Sequence, residues 1–317
     1  MHDKIAGKTD KFELLVARAS TMGAIETIIV HPCEATALES AIAAAKAGLI
    51  IPIIVAPQRK LAAIAASIGL DLTGIELIDV PHSHAAAAKS VSLIRAGRGE
   101  LLMKGSLHSD ELLHEVTDRE IGLRTERRLS HVFIMDVPNY PEPLFITDAA
   151  VNIFPDLADK RDIVQNAIDL HIGLKLGEPR VAILSAVETV TPKIPSTIDA
   201  AALCKMADRG QITGGQLDGP LALDNAISPE AAIIKGLRSP VAGRAQILVA
   251  PDLEAGNMLA KNLTFLGGAD AAGVVLGARV PIILTSRADS LRTRMASCAV
   301  AVLYAHHLRT KPIPAAE

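Results

Sequence analysis

The densest group of side chains able to do chemistry lies near the C-terminus, in segment 283–290, which reads ILTSRADS. An apolar run there delivers Thr285 and Ser286 to its end, and Arg287, Asp289 and Ser290 follow before a second apolar, periodic stretch. Ligands of open α/β sheets bind beyond the carboxyl ends of strands, where the next helix turns unpaired N–H groups toward an anion. An arginine in that turn can hold phosphate with a two-pronged hydrogen bond, and a serine can donate to an oxyanion. The competing reading is that Ser290 caps the helix while Arg287 and Asp289 pair on the surface.

Three other segments carry polar groups after apolar runs. In 252–257, DLEAGN, Gly256 permits close backbone approach and Asn257 offers both a donor and an acceptor; alternatively, Asp252 and Glu254 only complement a helix dipole. In 218–224, DGPLALD, Asp218 is the candidate, against a Gly-Pro turn with incidental acids. In 103–108, MKGSLH, Lys104 is a point-charge phosphate binder and His108 a possible donor, and Arg124 adds a cation in a turn-like setting; each also reads as a solvated surface residue. His31, His306 and His307 carry no functional reading. Cys33, Cys204 and Cys298 are odd in number and far apart, outside any metal or redox spacing, and read as buried thiols.

The elements that must position these residues alternate. Runs rich in β-branched residues at 27–30, 49–55, 75–80, 100–104, 132–136, 144–147, 180–185, 212–217, 246–250, 273–276 and 281–285 read as strands. Between them, amphipathic Ala-rich stretches at 33–47, 83–96, 159–176, 196–206, 254–266 and 290–304 read as helices, with Ser196 as an N-cap and Gly48, Gly97 and Gly177 as left-handed terminators. Such βα alternation specifies an α/β fold with mainly parallel sheets, and unbroken apolar strands mean helices on both faces. Pro138, Pro141, Pro143 and Pro155 interrupt the rhythm. The expected organisation is a discontinuous lobe, 1–141 plus 275–317, a second lobe, 142–274, and an active-site cleft between them.

Composition removes several function classes. The 317 residues carry 32 Lys plus Arg against 35 Asp plus Glu, a net charge of −3, with 2% aromatics, which disfavours nucleic-acid partners. The longest stretch without a charged side chain, 295–307, is too short to span a bilayer, and the N-terminus lacks an apolar signal region, so a cytoplasmic protein without membrane contact is expected. There is no GxGxxG after the first strand, no P-loop, no GxSxG elbow and no HExxH. What remains is an anion site without metal, built from Ser, Arg, Asp and Lys.

Taken together, LMKG at 102–105, TDAAVN at 147–152, VAILS at 181–185, IPST at 194–197, DAAA at 199–202, DGPLALDN at 218–225, PDLEAGN at 251–257 and LTSRADS at 284–290 resemble the phosphate acetyltransferase and phosphate butyryltransferase family, in order and over about 26–304. The resemblance implies a two-lobed, dehydrogenase-like α/β fold (isocitrate/isopropylmalate type), commonly a homodimer, that interconverts acyl-CoA plus phosphate and acyl phosphate plus CoA, with CoA as substrate and no further cofactor. It implies that Ser286 hydrogen-bonds the tetrahedral oxyanion and Arg287 binds phosphate. In acetyl-type members an aspartate some residues later acts as base; seven on from Ser286 stands Thr293 here, and the nearest carboxylate is Asp289, as in the butyryl-type pattern. Asp289 is therefore the expected base, Lys104, His108, Arg124, Asp218 and Asn257 the expected substrate contacts, and acetyl- to butyryl-length acyl groups the expected substrates. The alternatives on the same fold are an acyl-carrier-protein phosphate acyltransferase and a metal-dependent, NAD-linked hydroxyacid dehydrogenase; a non-catalytic acyl-CoA sensor is the non-enzyme reading.

Overall fold

The computed structural model describes residues 11–284 and 289–315, with Thr285, Ser286, Arg287 and Ala288 outside the described residues. Eleven strands form one sheet in the order β3-β2-β1-β4-β11-β10-β5-β6-β9-β7-β8. The strands are β1 (Ile25–Val30), β2 (Ile50–Ala56), β3 (Glu76–Asp79), β4 (Leu101–Lys104), β5 (Ser130–Asp136), β6 (Leu144–Thr147), β7 (Arg180–Leu184), β8 (Gln216–Leu221), β9 (Ile247–Val249), β10 (Asp270–Leu276) and β11 (Ile282–Ile283). Neighbours are parallel except at β11-β10, β10-β5 and β5-β6, where the sheet reverses direction between its two halves.

The helices that cover it are α1 (Lys11–Ser20), α2 (Ala35–Lys46), α3 (Gln58–Ser67), α4 (Ser83–Arg95), α5 (Ser109–Thr117), α6 (Leu157–Gly173), α7 (Pro195–Asp208), α8 (Leu223–Ile227), α9 (Pro229–Ile234), α10 (Leu253–Phe265) and α11 (Leu291–Leu308). On one face a single apolar core runs the length of the sheet, with Phe12 of α1, Leu38 of α2, Val164 of α6, Leu203 of α7 and Val300 of α11 all buried in it. The opposite face is divided. Val91 of α4 and Leu112 of α5 join one cluster over β1, β2 and β4, while Ala226 of α8 and Ala260 of α10 join another over β6, β7 and β9. The break between these two clusters falls on a single face, above the antiparallel strands where the halves meet, and is taken as the candidate cleft.

Every strand expectation is met by a strand, with one displacement. The expected 212–217 run slides to β8, so Gly219 and Pro220 lie within a strand and not in a turn. β8 ends the sheet, and an edge strand tolerates a proline because half of its backbone groups pair with nothing. Ser196 does not cap α7: Ile194 takes the cap position, Pro195 opens the helix, and the Ser196 hydroxyl meets that of Ser185 at 2.9 Å. α6 stops before Gly177, because Lys175 takes the left-handed backbone after the Leu174 cap, at φ 51°.

Candidate active site

Strand alternation decides which side chains reach the cleft. β1, β4 and β11 run parallel, and their register sets Lys104 beside Val30 on one side and the residue after Ile283 on the other. Leu102 and Ile282 belong to the split face, so Lys104 and Leu284, two residues on in each strand, point to that face as well. Across the antiparallel junction, β10 and β5 continue the row with Gly273 opposite Phe133. A Cβ on Gly273 would lie 3.4 Å from the Leu284 carbonyl and 2.9 Å from Nε2 of His131, so glycine is what leaves room for the His131 ring.

One side of the candidate cleft is the turn that follows β4. Lys104 is 8% exposed, and its Nζ lies 3.4 Å from the Gly105 carbonyl. Gly105 is pressed against the end of β1, where an added Cβ would sit 2.4 Å from the Val30 carbonyl oxygen. Ser106 donates its hydroxyl to the His31 carbonyl at 2.9 Å and accepts from the Cys33 N–H at 3.0 Å. His108 then occupies the cap position of α5 with an exposed side chain that makes no cap hydrogen bond.

The other side is the loop after β6. Asp148 gathers the N–H groups of Ala150 and Val151 on one oxygen, at 2.9 and 3.0 Å, and the N–H and side-chain amide of Asn152 on the other, at 3.2 and 2.6 Å. Asn152 in turn donates to Leu129 at 2.8 Å and accepts from Arg128 Nε at 2.9 Å. α10 clamps this loop: Gly256 fits where a Cβ would come within 2.5 Å of the Asp148 carbonyl, and the Asn257 amide donates to the Ala149 carbonyl at 3.0 Å. Asp252 caps α10 through the Ala255 N–H at 2.8 Å.

Behind the cleft stands α11. Ser290 caps it by accepting from the Thr293 N–H at 3.2 Å, as the capping reading holds, and Thr293 stands in that first turn with its hydroxyl 3.3 Å from Ser290 Oγ. Asp289 is half-buried, and its carbonyl accepts from the buried Arg294 at 3.2 Å. Ser286 and Arg287 lie outside the described residues, in the four-residue link between Leu284 and Asp289. Register therefore sets Lys104 beside Leu284, the last described residue before that link. Arg124 is exposed, its backbone bridged to Ala278. Asp218 is not brought to the row: it sits on β8, seven strand positions from β4, and accepts from the Gly219 N–H at 2.8 Å.

Three buried residues around these elements escaped the sequence. His131 is 1% exposed, packs edge-on to Phe133 with ring centroids 4.3 Å apart, and leaves Nδ1 without a hydrogen-bond partner among the described residues. Burial drives its pKa down to about 4 against the opposing pull of Asp148. Arg294 and His31 are the others. A lone histidine in an apolar strand and a buried arginine on a helix have no spacing signal; only the register, which puts His131 opposite Val275 and next to Gly273, could have exposed the first.

The family model described as phosphate acetyl/butaryl transferase matches residues 82–302. The phosphate acetyltransferase of Rhizobium meliloti is 68% identical over 315 residues, covering 99% of this chain and 100% of that protein. The phosphate butyryltransferase of Clostridium acetobutylicum is 42% identical over 268 residues, covering 84% of this chain and 89% of that protein. Among solved structures, a branched-chain phosphotransacylase from Enterococcus faecalis V583 superposes with a TM-score of 0.76 at 30% identity, covering 89% of this chain and 99% of that one.

Proposed function

This chain belongs to the phosphate acetyl/butaryl transferase family, and we propose that its split-face cleft is where acyl-CoA plus phosphate and acyl phosphate plus CoA are interconverted. The observation that carries the reading is the register that sets buried Lys104 beside the strand leading into Ser286 and Arg287. In the direction of acyl-CoA synthesis the CoA thiol gives its proton to Asp289, and the thiolate attacks the carbonyl carbon of the acyl phosphate. A C–S bond forms, the C–O bond to phosphate breaks, and the electron pair leaves with phosphate. Ser286 donates to the oxyanion of the tetrahedral intermediate, while Arg287 and Lys104 hold the phosphate and balance its charge. His108 and Arg124, both exposed, suit the phosphates of CoA. Asn257 contributes by holding the 148–152 loop, and a substrate contact for Asp218 rests on the family resemblance alone.

CoA is a substrate in this scheme, and no metal or nicotinamide enters it. The lobes are taken as 1–141 with 275–317, and 142–274. A cytoplasmic homodimer completes the reading; its support is apolar surface on the second lobe, where Ile233, Ile234, Met258, Phe265 and Leu266 are each at least 64% exposed. Acyl groups of two to four carbons are the expected range, and relative turnover of acetyl-CoA and butyryl-CoA ranks them. The residue roles are tested by single variants assayed for CoA release. Ser286→Ala is expected to lose on the order of a hundredfold or more in kcat, as removal of an oxyanion donor does. Full activity in Asp289→Asn beside a crippled Ser286→Ala would remove Asp289 from the role of base.

A further inference from the structure

The residue that follows β1 is His31, and its φ is 51°. Left-handed backbone is costly for a side chain other than glycine and persists only where the surroundings impose it. Among the described residues one other non-glycine shares it, Lys175, at the end of a helix where that conformation is the ordinary terminator. His31 terminates no helix. It stands where β1, β4 and the turn after Lys104 meet.

Its hydrogen bonds show what the conformation achieves. The His31 N–H donates to Val55 at 2.9 Å, continuing the sheet, while its carbonyl turns toward the neighbouring loop and accepts from the N–H groups of Cys33 at 2.8 Å and Ser106 at 2.9 Å and from the Ser106 hydroxyl at 2.9 Å. Gly105 donates to Val30 at 2.9 Å, and a Cβ there would lie 2.5 Å from the His31 carbonyl oxygen. Ring atom Nδ1 comes within 3.4 Å of Ser106 Oγ. The charges that the ring feels come from three elements: Lys60 on α3, Glu111 on α5 and Glu34 before α2. Burial and Lys60 hold the imidazole below its ordinary pKa, so it is neutral at pH 7.

A glycine at this position would carry the same backbone without strain, so the strain is retained for the ring. We infer that His31 is a positioning residue for anionic substrate: its imidazole orients the Ser106 hydroxyl and fixes the Gly105–Ser106 turn that aims Lys104 at phosphate. The inference rests on the transfer reading above.

His31→Gly and His31→Asn in the full chain test it, with thermal unfolding, steady-state kinetics and phosphate titration followed by thermal shift. His31→Gly is expected to melt no lower than the parent, since the strain is gone, yet to raise the KM for phosphate by about tenfold with kcat within about threefold, the pattern of lost ground-state binding. His31→Asn, which tolerates left-handed backbone and keeps a short polar group near Ser106, is expected to recover part of that loss. A parental KM and phosphate affinity in His31→Gly would overturn the inference, as would equal impairment of the two variants. Phosphate titration decides the matter without turnover, so a parent protein that released no CoA would sink the transferase reading and leave this comparison to stand or fall by itself.

Discussion

His131 is held as a neutral ring, and the cause is burial, which outweighs the opposing pull of Asp148. The consequence appears in stability. The unfolded chain takes up a proton near the ordinary pKa of 6.5 and the folded chain only near 4, so between those values the unfolded state binds more protons and acid favours it. Stability from this residue is complete above pH 6.5 and is lost as the pH falls toward 4, by roughly 3 kcal/mol if the whole shift is expressed. Urea unfolding of the parent and of His131→Gln across pH 4 to 7 checks it; the variant should show the shallower slope, and parallel curves would contradict the assignment. At this scale the sequence was uneven. Lys104 could be singled out because a cation followed by glycine at a strand end is a recognisable pattern, and Gly256 because close backbone approach needs a missing Cβ. His31 and Arg294 could not, since what marks them is a backbone torsion and a burial that no spacing records.

Strands were the most legible elements because double-sided burial writes them as short, unbroken runs of Ile, Val and Leu. β8 slipped because its second half reads Gly-Pro-Leu, turn chemistry that an edge position overrides. Short helices were the least legible: α5 is nine residues of mixed polarity, and α1 and α3 also passed unread, since marginal helices depend on packing more than on their own pattern. α10 shows an element acting on the site from outside it. Its Gly256 lets the helix press on the Asp148–Ala149 backbone, so Gly256→Ala is expected to cost about 2 kcal/mol in denaturant unfolding by overpacking. The same variant should weaken activity more than Gly69→Ala, a left-handed glycine with open space around it and no contact with the cleft. Equal activity in the two would mean that the loop does not shape the site.

For the whole molecule, the small negative net charge and the strongly negative substrates are reconciled locally. For the proposed reaction Lys104, at the end of β4, and the exposed Arg124 supply local positive charge, while Arg287 lies outside the described residues. The α/β architecture with its mainly parallel sheet was legible from the βα alternation. That all eleven strands share one sheet, reversed around β10 and β5, was not, because the antiparallel partners Asp136 and Asp270 are far apart in the chain and nothing local announces their pairing. The most direct test of the account is CoA release from acyl-CoA of two, four and six carbons on addition of phosphate, in the absence of metal and nicotinamide. Phosphate-dependent thiol release with at least one chain length, matched by formation of acyl phosphate, is the predicted result; no phosphate-dependent release with any of them would contradict it.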